Sequence, residues 1–373
     1  MDLTRRSFLG IAGTAGLIAG AGLAGCAPTS ANTGGSQQDA PQDEKGARTK
    51  TFDAVATYDC DICICGAGNS GLSAAVEAAQ QGLGVVVLEK QGGTGGGGIG
   101  TEGVFAVNSE MQQAAGISIE PAEIISTEME YSHNRANGLK WFDLVQASGE
   151  NIAWLKECGV NFTGVVDDYH GGKFETLHWF GENRAHDDFS PAMTSKAKEL
   201  GVEFLMNCPA IELIKGGDGS VNGVYAKKLN GDYVQVNAKA VVLATGGFAN
   251  NDEYLQEGGF SDTTNVKRFL YGYDGDGVRM ALEAGGASNI PRMSGLMQLT
   301  VSGAPGGEYG TYGRGDGLVV AGHNPCSLWI NEDGQRFCAE SAGVDNWMSD
   351  MIPSLAHQRL YSIYDAKVFK DAY

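Results

Sequence analysis

The sequence predicts an α/β protein: a Rossmann-like domain with a parallel sheet and flanking helices, carrying a β-meander. Three observations predict it. First, the apolar run Ile62 to Cys65 leads into Gly66, Gly68 and Gly71 in Gly-x-Gly-x-x-Gly spacing, followed by Leu72, Ala75, Val76 and Ala79 at i, i+3, i+4 and i+7. Second, Val202 to Met206, Ile211 to Ile214, Val221 to Leu229 and Tyr233 to Val236 read as strands with a period of two. Third, Ala240 to Phe248 is an apolar strand that ends in glycines, as a buried parallel strand does.

The glycine unit has a specific physical reading. Gly66 permits a tight turn, Gly68 lets a pyrophosphate approach the backbone, and Gly71 lets helix and strand pack closely. The helix start offers unpaired N–H groups and a positive dipole end. Gly82 and Gly84 stop the helix, and Val85 to Leu88 form the next strand, closed by Glu89. An acidic residue there, 23 positions after Gly66, is placed to accept hydrogen bonds from a ribose. A tight turn without a ligand is the competing reading. The strand before, the helix after and Glu89 in register weigh against it.

In chain order, the N-terminus reads as an address. Thr4 to Leu9 fits a twin-arginine export pattern, and the apolar run Ile11 to Ala24 is too short to span a membrane stably. Leu23-Ala24-Gly25-Cys26 resembles a lipoprotein processing box, with Cys26 carrying lipid; an uncleaved anchor is the alternative. Both predict a protein exported across the cytoplasmic membrane. Residues 27–57 are expected to form a polar tether. The domain expected at 58–285 follows, then a second at 286–373.

Gln91 to Gly100 is a glycine-dense loop suited to lie against a ligand, with Gly93, Thr94 and Gly103 as candidate contacts. Residues 121–159 read as helices whose apolar positions serve the core. His178 to Arg184 breaks that pattern; ligand contact and a surface loop both fit it. The strand region carries hairpin signals at Gly216 to Gly219 and Asn230-Gly231. Asp276 opens another helix, either as its cap or as part of a helix start aimed at a cofactor. Ser327 to Ile330 is a strand, Asn331 to Gly334 a turn and Gln335 to Phe337 the return; Leu360 to Tyr364 is a final strand.

The net charge of −19 offers no basic surface for phosphate backbones and excludes nucleic-acid binding as a function class. Seven cysteines remain if Cys26 is lipidated, an odd number without a disulfide pattern. Cys60, Cys63 and Cys65 lie along one strand and read as buried structural residues. None of the six histidines shows metal-ligand spacing, so no metal site is expected.

Taken together, Gly66 to Gly71, Glu89-Lys90, Ala244 to Phe248, Gly275 to Gly277 and Asn331 to Phe337 with Glu340 resemble the flavoprotein family of fumarate reductases and succinate dehydrogenases. The resemblance implies non-covalent FAD, bound by a Rossmann-like FAD-binding domain that is interrupted by an α+β capping domain, with substrate between cap and flavin. It implies that Gly66, Gly68 and Gly71 hold the pyrophosphate and Glu89 the ribose, that Ala210 lies by the adenine, and that Thr245, Gly246 and Asp276 lie near the cofactor. Asn69, Ser70 and Lys90 complete the cofactor-binding candidates.

This sequence departs from the family pattern in three ways. Family members continue further, so 286–373 is expected to be an incomplete capping domain of a C-terminally truncated chain. The position of the family's proton-donating arginine holds Val344, and its relay glutamate and arginine fall on Val320 and His323, so fumarate itself is not the expected substrate. No Cys-x-x-Cys-His haem motif occurs, so electrons are expected from an external donor such as a cytochrome or a quinol-linked protein.

The reading is therefore an exported FAD-dependent oxidoreductase that reduces an activated C=C bond of a small unsaturated organic acid. His323, Arg336 and Glu340 are the candidates for proton handling; Arg336 and Glu340 also fit a structural ion pair. The alternatives are an FAD-dependent dehydrogenase of a saturated acid or ketosteroid, and an inert fragment.

Overall fold

The computed structural model describes residues 50–132, 134, 136–169, 172–182, 184–259, 263, 272–290, 327–337, 339–340, 360–363 and 365–367. The export signal, the tether to residue 49 and His323 fall outside these residues.

Strand β1, Ala54–Cys65, is the spine. It starts four residues before the expected boundary at 58. The reason is its partner: β9, Tyr233–Leu243, is equally long and pairs with it in parallel from Ala54↔Tyr233 to Cys65↔Leu243. On its other side β1 pairs in parallel with β2, Val85–Leu88, from Ile62↔Val85 to Cys65↔Leu88. Ile64, Val87 and Cys63 lose all contact with water, as strands covered on both faces do.

With β6 (Glu203–Leu205), β7 (Ala210–Lys215) and β8 (Val221–Lys227), these strands form one sheet in the order β6-β2-β1-β9-β8-β7. The expected meander is corrected here in one respect. The 202–206 strand does not join it; β6 lies at the far edge, parallel to β2, through Val86↔Glu203 and Leu88↔Leu205. The expected strands at 233–236 and 240–248 are a single strand, because β9 runs unbroken from the meander into the parallel core.

Helix α1, Asn69–Gln80, covers one face of the sheet. Leu72, Ala75 and Val76 are fully buried with Ile64 and Val87, the helical stripe that the sequence periodicity predicts. Burying each large aliphatic side chain contributes about 1.5–3 kcal/mol. Cys63, Cys65 and Cys208 sit in the opposite cluster with Leu88, Val224, Val236 and Met280, as free structural thiols. No group of metal-ligating side chains is found among the described residues.

The segment between β2 and β6 holds a short helix α2 (Glu110–Ala114), α3 (Pro121–Tyr131), α4 (Gly138–Glu157) and α5 (Phe189–Glu199). It also holds a three-stranded sheet of β3 (Gly103–Phe105), β5 (Leu177–Phe180) and β4 (Phe162–Asp167) in the order β3-β5-β4. Helices α6 (Asp252–Glu257) and α7 (Asp276–Glu283) follow β9. Strand β10 (Leu328–Asn331) pairs antiparallel with β11 (Leu360–Ile363), and the turn closes with Gly334 N–H donating to Asn331 O at 3.0 Å.

His178 to Arg184 is resolved in favour of neither a loop nor a ligand contact at His178. That residue is 0 % exposed in β5. Its Nε2 lies 2.6 Å from Ser109 Oγ, and its Nδ1 lies 3.0 Å from Thr176 O and 3.2 Å from Val104 O. Ser109 in turn caps α2 by accepting from Gln112 N–H at 3.1 Å, while its own N–H donates to Gln112 Oε1 at 3.0 Å. Burial holds the imidazole pKa below its usual value, against the two carbonyls.

A histidine depressed in the fold binds its proton more readily when unfolded. Stability is then full above about pH 6.5 and falls as the pH drops below it, by up to about 1.4 kcal/mol per pH unit. Urea unfolding of wild type and His178→Gln between pH 7.5 and 5 should show this acid loss in wild type and a flatter profile in the variant.

Candidate functional site

The parallel strands β6, β2, β1 and β9 all end on one edge of the sheet, and the glycine turn lies there. Gly66 N–H donates to Leu88 O at 2.7 Å and Ala244 N–H to Cys65 O at 2.8 Å, so three strand ends are stitched together. Ligands of open α/β sheets bind in this position, outside the carboxyl ends of the strands.

Gly66 and Gly71 are fixed by space. Gly66 has φ +106°, and a Cβ on it would fall 2.4 Å from Ala244 O. A Cβ on Gly71 would fall 1.9 Å from Gly66 O. At Gly68, by contrast, a Cβ would meet nothing nearer than Gly95 O at 3.7 Å, which leaves room on that side of the turn. Gly68 is also the N-cap of α1 and supplies no side-chain cap, and the first turn contains no acidic residue. The dipole end and leading N–H groups of α1 are therefore uncompensated by side chains, the condition for anion binding.

Glu89 is 7 % exposed and grips this turn. Its Oε2 accepts from Ala67 N–H at 2.6 Å and its Oε1 from Gln91 N–H at 2.7 Å. Each oxygen keeps a further lone pair for a ribose hydroxyl. Cys208 N–H donates to Glu89 O at 2.8 Å, so the chain passes the end of β2 just before Ala210 opens β7.

The glycine-dense loop forms a second boundary. Gly95 N–H donates to Ala67 O at 2.8 Å, and a 3-10 turn spans Gly96–Gly100. Asn69 Nδ2 donates to Gly98 O at 3.3 Å. The buried Asn69 Oδ1 and Ser190 Oγ have no hydrogen-bond partner among the described residues. Cβ atoms on Gly98 and Gly95 would each come within 2.8 Å of these two oxygens, respectively. Two orphaned buried oxygens beside an uncapped helix start and a bare glycine turn fit a dinucleotide rich in polar atoms. Ser190, on α5, escaped sequence reasoning because no local motif links it to a loop nearly a hundred residues earlier.

Several candidates are held differently from expectation. Lys90 Nζ contacts Asp274 Oδ2 at 2.7 Å and Asp276 Oδ2 at 2.8 Å. Burial would lower its pKa, but the two carboxylates outweigh that and raise it. Lys90 and Asp276 thus answer each other's charge across the edge of the site. Asp276 begins α7 without a side-chain cap bond. Instead Thr245 Oγ1 accepts from Gly277 N–H at 3.1 Å, joining the loop after β9 to α7.

Gly103 turns away from a ligand role: it lies buried in β3, and a Cβ on it would fall 2.3 Å from His178 O. Thr94 Oγ1 pairs with Thr194 Oγ1 at 2.8 Å, whereas Gly93 is open, with nothing within 4 Å of a Cβ. Gly246 has φ +77° and faces the ring of Tyr273. No hydrogen bond involves the Ser70 side chain among the described residues.

Away from this edge, Arg336 Nη2 and Nε contact Glu340 Oε2 and Oε1 at 2.6 and 3.0 Å. Glu340 Oε1 also accepts from Trp329 N–H at 3.0 Å. Arg336 leads the causes that hold the Glu340 carboxyl down at about 2. The ion pair expected of these two residues is formed, with more than half of the Arg336 side chain exposed.

Residues 61–369 match the FAD binding domain family, and the chain belongs to it. The chain is 35 % identical over 313 residues to the vinyl phenol reductase of Lactiplantibacillus plantarum, covering 83 % of this chain and 62 % of the relative. It is 28 % identical over 329 residues to the fumarate reductase (cytochrome) of Shewanella frigidimarina, covering 85 % and 54 %. Among solved structures, the open conformation of a flavocytochrome c3 fumarate reductase superposes with TM-score 0.69 at 24 % identity, over 85 % of this chain and 54 % of that one, a likeness of fold. The chain thus spans between about half and three fifths of the length of these relatives. The expected cofactor, FAD, is that of the family, and the cradle described above fits it.

Glu89→Gln should test the grip on the turn. The amide cannot accept from both Ala67 and Gln91, and one buried N–H loses its partner at a cost of about 1–3 kcal/mol. Chemical unfolding should register that loss, and equilibrium dialysis should find FAD held more weakly.

Proposed function

We propose that this protein is an FAD-dependent oxidoreductase that reduces an activated C=C bond of a small unsaturated organic acid or a related conjugated compound. The observation that carries the reading is the conjunction of the FAD family with two relatives named for reducing vinyl phenol and fumarate. Both compounds hold an alkene conjugated to a polarising group. Fumarate itself is not the proposed substrate, because Val344 replaces the cationic donor expected by resemblance.

In this reading Gly66, Gly68 and Gly71 bring the start of α1 to the pyrophosphate, with Asn69 Oδ1 available as an acceptor and Ser190 Oγ as a donor or acceptor to the dinucleotide. Glu89 takes the ribose. FAD, once reduced by the external donor, would supply a hydride to the β-carbon of the alkene and return to its oxidised form. The chain must polarise the substrate and deliver a proton to the α-carbon. For that step His323 and Arg336 are the proposed groups. Glu340, already accepting from Trp329 and Arg336, is suited to orienting Arg336. The FAD-binding domain at 58–285 and the capping domain at 286–373 remain the proposed division of labour, with electrons entering from an external donor protein.

Anaerobic reoxidation of reduced viologen with a panel of enoates and vinyl phenols tests the activity. Turnover with at least one member is expected, and silence across the whole panel would remove the proposal.

We also propose export through the twin-arginine signal and anchoring through lipid on Cys26. No helix of the described residues is long and apolar enough to cross a membrane. Cys26→Ser should shift the protein from the membrane to the soluble fraction after cell lysis. Retention in the membrane pellet would contradict the lipid anchor.

A further inference from the structure

The search for unassigned chemistry leads to the segment before α7. Tyr273 lies where the two glycine-lined edges of the site approach each other. A Cβ on Gly97 would fall 1.9 Å from its hydroxyl oxygen. Cβ atoms on Gly246 and Gly247 would fall 3.3 and 3.1 Å from its ring carbons. One phenol therefore lies against both the loop after β2 and the loop after β9, closest at Gly97 and tightly packed at Gly246 and Gly247.

Its backbone is fastened on both sides. Tyr273 O accepts from Asn250 N–H at 2.8 Å. Asp274 is tied to Lys90 at 2.7 Å, and Asn250 Nδ2 donates to Asp274 Oδ1 at 3.3 Å. Gly272 and Gly275, with φ +81° and +80°, bend the chain on either side and turn the ring inward. The hydroxyl makes no hydrogen bond to any described residue, and burial raises its pKa. An aromatic side chain so held, with a free polar tip, offers a flat apolar face and one hydrogen bond to whatever shares the cleft.

We propose that Tyr273 contacts bound FAD directly, as the aromatic side chain that closes the cleft between the Gly97 and Gly246–Gly247 edges. The inference rests on the placement of FAD in this cleft given above. Because the ring lies between the two glycine-lined edges, a dinucleotide seated there packs against it. The Lys90 link then has a purpose beyond charge balance: it ties the Tyr273 turn to the residue next to Glu89, which grips the ribose side.

The test uses the full chain stripped of flavin and retitrated with FAD. Tyr273→Ala should weaken FAD binding roughly tenfold, the scale of a lost aromatic contact, while Tyr273→Phe stays near wild type apart from the hydroxyl's share. Apo-protein melting of all three proteins separates a folding defect from a binding one. An alanine variant that binds FAD as tightly as wild type overturns the inference.

The second measurement labels wild type with 3-fluorotyrosine and assigns the Tyr273 fluorine line by its loss in Tyr273→Phe. A shift of that line on FAD addition is expected, and an unmoved line in the FAD-bound protein overturns the inference even if Tyr273→Ala fails to fold. Failure of wild type to bind FAD at all would instead overturn the placement of the cofactor.

Discussion

The structure depends on the Glu89 carboxylate. A charge at 7 % exposure costs several kcal/mol to desolvate unless its lone pairs are filled. Here each oxygen accepts one backbone N–H, Oε2 from Ala67 in the glycine turn and Oε1 from Gln91 two residues on. The backbone of Glu89 is also paired at both ends, its N–H with Leu205 O and its C=O with Cys208 N–H. One residue therefore locks the ends of β1, β2 and β6 into a single edge. With that edge fixed, α1 starts at Gly68 and directs its dipole into the cleft.

The opposite edge is held by different physics. Thr245 replaces the missing cap of α7, and Asn250 and Asn251 bond the 272–274 backbone and side chains. Lys90 bridges two aspartates across the gap, with about a quarter of its side chain exposed. Partly exposed pairs of this kind contribute little to global stability. Their effect is on position, since they hold the Tyr273 turn against the glycine loop. The edge is thus held by hydrogen bonds to one buried carboxylate on the Glu89 side and by ion pairs on the Lys90 side.

Much of this was legible in the sequence where the signal is local. The stripe Leu72, Ala75, Val76 and the spacing of Gly66, Gly68 and Gly71 gave α1, its buried face and its open N-terminus. The turn at Asn331 to Gly334 was readable for the same reason, because a turn is specified by its own residues; the expected return at 335–337 makes only a single bridge, Ile330↔Arg336, and β10 pairs with β11 instead. What failed was non-local. Val202 to Met206 reads like a meander strand, yet its ordered part, β6, pairs with β2. Alternation specifies a strand and is silent about its partner. His178 read as an irregular segment because its environment, Ser109 and two carbonyls, comes from three separate elements.

The amino-acid sequence by itself determined the kind of protein this is: a glycine turn, a helix and an acidic strand end at fixed spacing, and with them the FAD binding domain family. Each of those signals is carried by backbone freedom or side-chain periodicity within a few residues of one another. Only the tertiary structure decided that Lys90 turns to Asp274 and Asp276, that Gly103 packs against β5, and that Ser190 and Tyr273 face the glycine loop. Those outcomes depend on contacts between residues up to 186 positions apart. Such pairs exist once the sheet has ordered its strands, and no local pattern encodes which of them will meet.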